Sequence, residues 1–86
     1  MEEMLSLSSE KAVFEVVREF VRNLGLDPQK CRDEAELRSL GIDSLQAVDL
    51  VFQFEERLNV TIPMEDFNAK TVGDAVRFVA ALMPKR

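Results

Sequence analysis

The chain contains no histidine, tryptophan or tyrosine, and only one cysteine, Cys31. Without histidine there is no imidazole to act as a general base or to ligate a metal. A lone cysteine cannot close an internal disulfide. Phenylalanine is the only aromatic residue, and the formal net charge is −5. Neither the basic footprint nor the usual stacking set of a nucleic-acid binder is present, so no nucleic acid is expected as a partner. No apolar run approaches the roughly 18 residues of a membrane span, so no membrane association is expected either. The opening Met1-Glu2-Glu3-Met4 is acidic where a signal or transit peptide is basic. These features lead to the expectation of a cytoplasmic protein.

What is present is an ordinary globular mixture, 47% hydrophobic and 31% charged over 86 residues. That length supports one small domain, 1–86, with its core over about 9–83. A domain of this size buries only about 60–65% of its unfolded surface. It has no deep catalytic cleft unless a partner supplies one, and it is expected to be a monomer.

Four stretches read as helical, and none reads as a strand. In the first, about Ser9 to Leu24, Val13, Val17, Phe20, Val21 and Leu24 share one face. Glu10, Glu15, Arg18, Glu19 and Arg22 share the other. Ser8 or Ser9 is a suitable cap for its start, and Gly25 and Pro28 suit its end. Residues 25–43 then form a connection that is long for so small a domain. One helical turn is expected at Asp33-Glu34-Ala35-Glu36-Leu37, with Leu37, Leu40 and Ile42 pinning the loop to the core. Gly41 supplies a bend. A second helix runs from about Ser44 to Leu58. Pro63 and the acids Glu65 and Asp66 suit the first turn of a short third helix. Thr71, with Asp74 three residues on, approximates a capping box for a last helix from about Val72 to Met83. Val72, Val76, Val79 and Met83 form its inward stripe, and Pro84 stops it. The expected architecture is all-α, a small three-to-four-helix bundle with a long loop between the first two helices.

The second helix carries two apolar faces. Ala47, Leu50, Val51, Phe54 and Leu58 make a broad core stripe. On the other side Leu45, Val48 and Phe52 align at i, i+3 and i+7, flanked by Asp49, Glu55 and Glu56. That second stripe either packs on a neighbouring element or docks a partner. Charge favours docking. Residues 43–66 hold six acids and one base, while the rest of the chain holds ten of each. The whole net charge is thus concentrated in one segment. Such clustering costs stability through repulsion, and steering towards basic partner surfaces accounts for it. Ser44 stands where this helix begins. An N-cap role explains a serine there. A phosphodiester on Ser44 would also suit a helix N-terminus, and the two roles are compatible. Asp43 would repel such a phosphate and is harder to explain as structure.

The stretch Leu40 to Pro63, LGIDSLQAVDLVFQFEERLNVTIP, resembles the acyl carrier proteins, phosphopantetheine-binding carriers whose pattern is Gly-x-Asp-Ser-Leu, a helix of hydrophobic and acidic residues, then Ile-Pro. The similarity spans roughly residues 9–83 and includes the long loop. The resemblance implies an acyl-carrier-protein-like fold. It implies that Ser44 is esterified with 4'-phosphopantetheine from coenzyme A by a phosphopantetheinyl transferase. It places Asp43 beside the coenzyme-bound metal in that complex. It makes Leu45, Asp49, Phe52, Glu55 and Glu56 the recognition helix for synthases, reductases and acyltransferases of fatty-acid or polyketide-type synthesis, a docking face to which the residue pattern adds Asp43 and Val48. It also suggests that an acyl chain folds between the helices near Leu50, Phe54, Ile62 and Val76. On this reading the chain has no catalytic residues and no resident metal. Phe52→Ala or charge reversal at Glu55 is expected to weaken docking with little loss of fold.

The sequence also departs from typical bacterial fatty-acid carriers. Gln46 stands where an acid is common, Phe52 where Met is common, Arg57 interrupts the acids, and Phe67 adds bulk to the short third helix. A carrier dedicated to a specialised pathway fits these changes. Three alternatives differ in class. An aminoacyl or peptidyl carrier shares the serine chemistry, but the acidic second helix argues against it. An unmodified helical interaction module leaves the Asp43-Ser44-Leu45 triplet unexplained. A calcium loop at Asp27 to Arg38 lacks glycine at its sixth position and an acid at its twelfth. Cys31 is read as a loop cysteine rather than a rival attachment point.

Overall fold

The computed structural model describes residues 2–83, with side chains from Ser9 onwards. Three α-helices carry the architecture: α1, Glu2–Asn23; α2, Ser44–Leu58; α3, Val72–Leu82. Three short 3-10 turns, Pro28–Lys30, Arg38–Leu40 and Met64–Asp66, punctuate the connections. Both α2 and α3 pack against α1. No described helix is long and apolar enough to cross a membrane. The all-α bundle expected from the sequence is the fold observed, with the short third helix reduced to a single 3-10 turn.

Helix α1 begins at Glu2, well before the expected start at Ser9, so neither Ser8 nor Ser9 caps it. No glycine or proline precedes Gly25, and nothing in the chain stops the helix from running back. Its buried stripe is Val13, Val16, Val17 and Val21, with Phe20 and Leu24 half-buried beside it. Gly25 takes a left-handed conformation at φ 86°, as a helix-ending glycine does.

The long loop is organised by pairing rather than by its own helix. No helical turn forms over Asp33 to Leu37: Ala35 N–H closes a single turn on Arg32 O at 3.0 Å, and Glu36 forms an isolated antiparallel bridge with Thr71. Leu37 N–H donates to Lys70 O at 2.9 Å, Val72 N–H to Ala35 O at 2.9 Å, and Gly73 N–H to Asp33 O at 2.8 Å. The last two satisfy first-turn N–H groups of α3 that the helix itself leaves free. A Cβ at position 73 would meet the tip of the exposed Asp33 side chain, which would have to move aside. Leu37, Leu40 and Ile42 are buried as expected and pin the loop to the core.

Helix α3 opens with a complete capping box between Thr71 and Asp74. The Asp74 carboxylate accepts from the backbone N–H groups of Lys70 and Thr71, both at 3.3 Å. These two bonds, in that order, lower the Asp74 pKa below the ordinary carboxylate value. A depressed folded pKa contributes stability that is complete above the unfolded value, about 3.9, and is lost as pH falls through the folded one. We therefore expect acid titration of unfolding to show a loss of stability below roughly pH 4 that is smaller in Asp74→Asn. Identical acid limbs in the two proteins would remove the capping box as its source. Val72 and Val79 are fully buried, Val76 is buried, and Met83 is half-buried. Pro84, expected to stop this helix, lies outside the described residues.

Candidate functional site

The loop delivers Ser44 to the surface. The 3-10 turn Arg38–Leu40 ends at Gly41, whose φ of 80° turns the chain in a way that a Cβ would penalise. Ile42 is then buried, and Asp43 and Ser44 emerge exposed. Here the structure corrects the sequence reading. The N-cap of α2 is Asp43, not Ser44: its carboxylate accepts from Gln46 N–H at 2.9 Å. Aspartate is as good a cap as serine, and its charge also suits the positive end of the helix. Ser44 is the first residue of the helix proper, and among the described residues its hydroxyl makes no hydrogen bond. The structure therefore uses Asp43 and leaves Ser44 free.

Ser44 opens into a groove of about 650 Å³ between the loop, the start of α2 and the connection to α3. Its apolar lining includes Ile42, Ala47, Met64, Phe67 and Ala69. Phe67, the bulky residue of the short third helix, is held edge-on against Phe78 with ring centroids 5.8 Å apart.

The other candidate residues are all borne by α2. Leu45 is 74% exposed and Phe52 59%. Two large apolar side chains this open on one helix form a surface, not a core. Val48 lies between them, half-buried, so it belongs partly to the packing. Asp49 and Glu56 are exposed. Glu55 is different: it is half-buried, and its carboxylate accepts from Ile62 N–H at 2.9 Å. It ties the end of α2 to the connection that follows. Charge reversal at Glu55 would break that bond, so the expectation of little loss of fold does not hold for this residue.

Other features were not visible in the sequence pattern. Arg57 reaches Glu19 of α1 at 3.7 Å. Above this pair a second groove between α1 and α2 is lined by Phe20, Gln46, Phe52 and Gln53. Gln46, which stands where an acid is common in bacterial fatty-acid carriers, is thus in the wall of that groove. Arg38 and Lys70 line the groove at Ser44. Only the backbone pairing brings them there, and no periodicity announces it.

Leu50, Phe54, Ile62 and Val76, suggested as the lining of an acyl chain, are all packed in the closed core. Cys31 is buried too, and burial pushes its thiol pKa up, which makes it a poor nucleophile near neutral pH.

An exposed, uncommitted serine on the first turn of a short helical bundle is suited to bear a prosthetic arm, and residues 15–79 match the family model described as a phosphopantetheine attachment site. An acyl carrier protein of Wolinella succinogenes is 38% identical over 71 residues, covering 79% of this chain and 93% of that protein. One from Phenylobacterium zucineum is 43% identical over 70 residues, covering 78% and 89%. Another, from Caulobacter vibrioides, is 41% identical over 70 residues, covering 78% and 90%. The chain belongs to the acyl carrier protein family.

Proposed function

We propose that this chain is a single-domain, cytoplasmic, monomeric acyl carrier in which Ser44 bears the 4'-phosphopantetheine arm, and that it has no catalytic activity of its own. The observation that carries the reading is the freedom of the Ser44 hydroxyl, exposed beside an aspartate that has taken over the capping. In the transferase complex Ser44 Oγ would attack the coenzyme A diphosphate and form a phosphodiester. The adenosine bisphosphate half leaves, and the hydroxyl proton passes to a base of the transferase. The first-turn N–H groups of α2 then face an anion, which the helix dipole favours. When attached, the arm supplies a thiol that holds acyl groups as thioesters. Three features of the residues support the absence of catalysis. There is no histidine, Cys31 is buried with a raised pKa, and the one carboxylate beside Ser44, that of Asp43, accepts from Gln46 N–H rather than from the Ser44 hydroxyl.

Docking belongs to the outer face of α2. Leu45 and Phe52 are its apolar anchors, Val48 fills between them, and Asp43, Asp49 and Glu56 supply the acidic rim, with Glu55 contributing charge while bonded to Ile62. Basic surfaces of the transferase and of synthases, reductases and acyltransferases complement this face. Fatty-acid or polyketide-type synthesis is the setting that fits it.

Incubation with coenzyme A and a broad-specificity transferase tests the reading by intact mass. One added phosphopantetheine is expected, and no added mass on a folded chain would sink it. Phe52→Ala should lower the transferase's kcat/KM about tenfold, the effect of losing a modest hot spot. Glu56→Lys should slow modification most at low salt. Both should keep stability within about 0.5 kcal/mol, because both side chains are exposed. Unchanged kinetics in both variants would remove this face from docking.

A further inference from the structure

Three positions at which the chain departs from typical bacterial fatty-acid carriers, Gln46, Phe52 and Arg57, all line the groove between α1 and α2. Glu19, Phe20 and Asn23 line it from α1. At about 400 Å³ the groove is at the small end of the range that holds a ligand. Its charges do not balance. Glu19 pairs with Arg57 at 3.7 Å and with Arg22 at 3.4 Å. Asp49 also lines the groove, is exposed, and enters none of the ion pairs among the described residues. The lining thus holds two acids and one base, and one further cation would neutralise it.

The rest of the lining says which cation. Phe20 is half-buried and Phe52 exposed, so an occupant meets two aromatic side chains. A guanidinium is planar and weakly hydrated and stacks on aromatic faces, whereas an ammonium holds its water. The side-chain amides of Asn23, Gln46 and Gln53 take part in none of the hydrogen bonds among the described residues, although Gln46 and Gln53 are half-buried. Their carbonyl oxygens and the Asp49 carboxylate are acceptors suited to the forked N–H donors of an arginine. Asp49 and Phe52 also belong to the outer face of α2, so an enzyme lying on that face passes over the mouth of the groove.

We propose that the groove between α1 and α2 receives one arginine side chain of a partner enzyme, so that α1 forms part of the recognition surface and Gln46 and Phe52 select arginine over lysine. The partner half of this rests on the docking reading of α2, which the modification rate of Glu56→Lys tests separately. An acid at position 46 would add a second unpaired carboxylate and draw any cation, lysine included, by charge alone. The neutral amide leaves a single unpaired charge, and the fit of a planar group against the aromatic side chains then decides. A carrier with this groove favours enzymes that present arginine at that point and is poorly served by those that present lysine there.

The test titrates the chain with acetyl-arginine-amide, acetyl-lysine-amide and acetyl-leucine-amide at constant ionic strength and follows it by NMR. The arginine probe should shift the side-chain amide resonances of Asn23, Gln46 and Gln53 and the backbone amide of Phe20, saturating with a dissociation constant on the order of 10 mM. The lysine probe should bind about fivefold more weakly, the fold-change of one exposed contact between a cation and a ring. Asp49→Asn and Phe52→Ala should each weaken arginine binding by about as much, while Glu65→Gln, an acid outside the groove, should leave it unchanged. Unmoved amide resonances of Leu50 and Phe54 show that each variant keeps its core. Lysine binding as tightly as arginine, or arginine shifts that never saturate or that survive in Asp49→Asn and Phe52→Ala, would overturn the proposal. Tighter binding of the leucine probe would overturn it in favour of an apolar anchor. Groove resonances that move on dilution of the protein alone would overturn it in favour of a second copy of this chain.

Discussion

Ser44→Ala should abolish attachment of the arm completely and leave stability within about 0.5 kcal/mol of the parent. The second half of that expectation comes from the structure. Were Ser44 the cap of α2, its loss would cost about 1 kcal/mol, or roughly 4–8 °C in Tm for a domain of this size. The cap is Asp43 instead, through its bond to Gln46 N–H, and an alanine in the first turn of a helix is well tolerated. The converse experiment separates the two residues. Asp43→Ala should lower stability by about 1 kcal/mol. Asp43→Asn should restore most of it, because asparagine caps equally well. If Asp43 also serves the metal in the transferase complex, as the family resemblance implies, Asp43→Asn will still be modified slowly despite its restored fold. A normal rate in Asp43→Asn would confine this aspartate to capping. Arm attachment persisting in Ser44→Ala would move the attachment site elsewhere on the chain.

The parts of the fold that were legible in the sequence are those set by local pattern. The valine stripe of α1, the Thr71–Asp74 box and the left-handed glycines depend on residues within a turn of one another. Misread positions depended on something farther away or on a choice between neighbours. Both Asp43 and Ser44 can cap a helix, and composition does not say which one the backbone aims inward. Asp33 to Leu37 contains good helix formers, yet the segment pairs with the start of α3, where free N–H groups offer partners that a single helical turn could not. Glu55 reads as one more acid of a docking face until Ile62 N–H is seen to need an acceptor. Arg38 and Lys70 stand 32 positions apart in the sequence, and only the bridge between Glu36 and Thr71 makes them neighbours.

The two phenylalanines of α2 divide the labour of the helix, and Phe54→Ala should have the largest effect on stability of any single change considered. Phe54 is fully buried in the core cluster with Leu50 and Val51. Removing a buried aromatic ring costs about 3–5 kcal/mol, from lost transfer energy and from the cavity left behind. A domain of this length has a total stability of only about 4–13 kcal/mol at 0.05–0.15 kcal/mol per residue. The variant should therefore lose a third or more of its stability at the midpoint of these ranges, and in the less favourable case should be partly unfolded at room temperature. Phe52, two residues earlier, points to the other side and is 59% exposed. Its alanine variant should melt like the parent and dock about tenfold less well. Urea titration of both variants, read beside their rates of modification, separates the roles. Phe54→Ala should lower the midpoint, and its folded fraction should still be modified at the parent rate, because the docking surface is intact wherever the helix is formed. If Phe54→Ala were as stable as the parent, the closed core around Leu50 and Phe54 would have room to relax, and an acyl chain could enter there at little cost. A loss of 3 kcal/mol or more would mean that a chain entering between the helices must displace well-packed side chains, and that the interior opens only for a cargo whose own burial offsets the disruption.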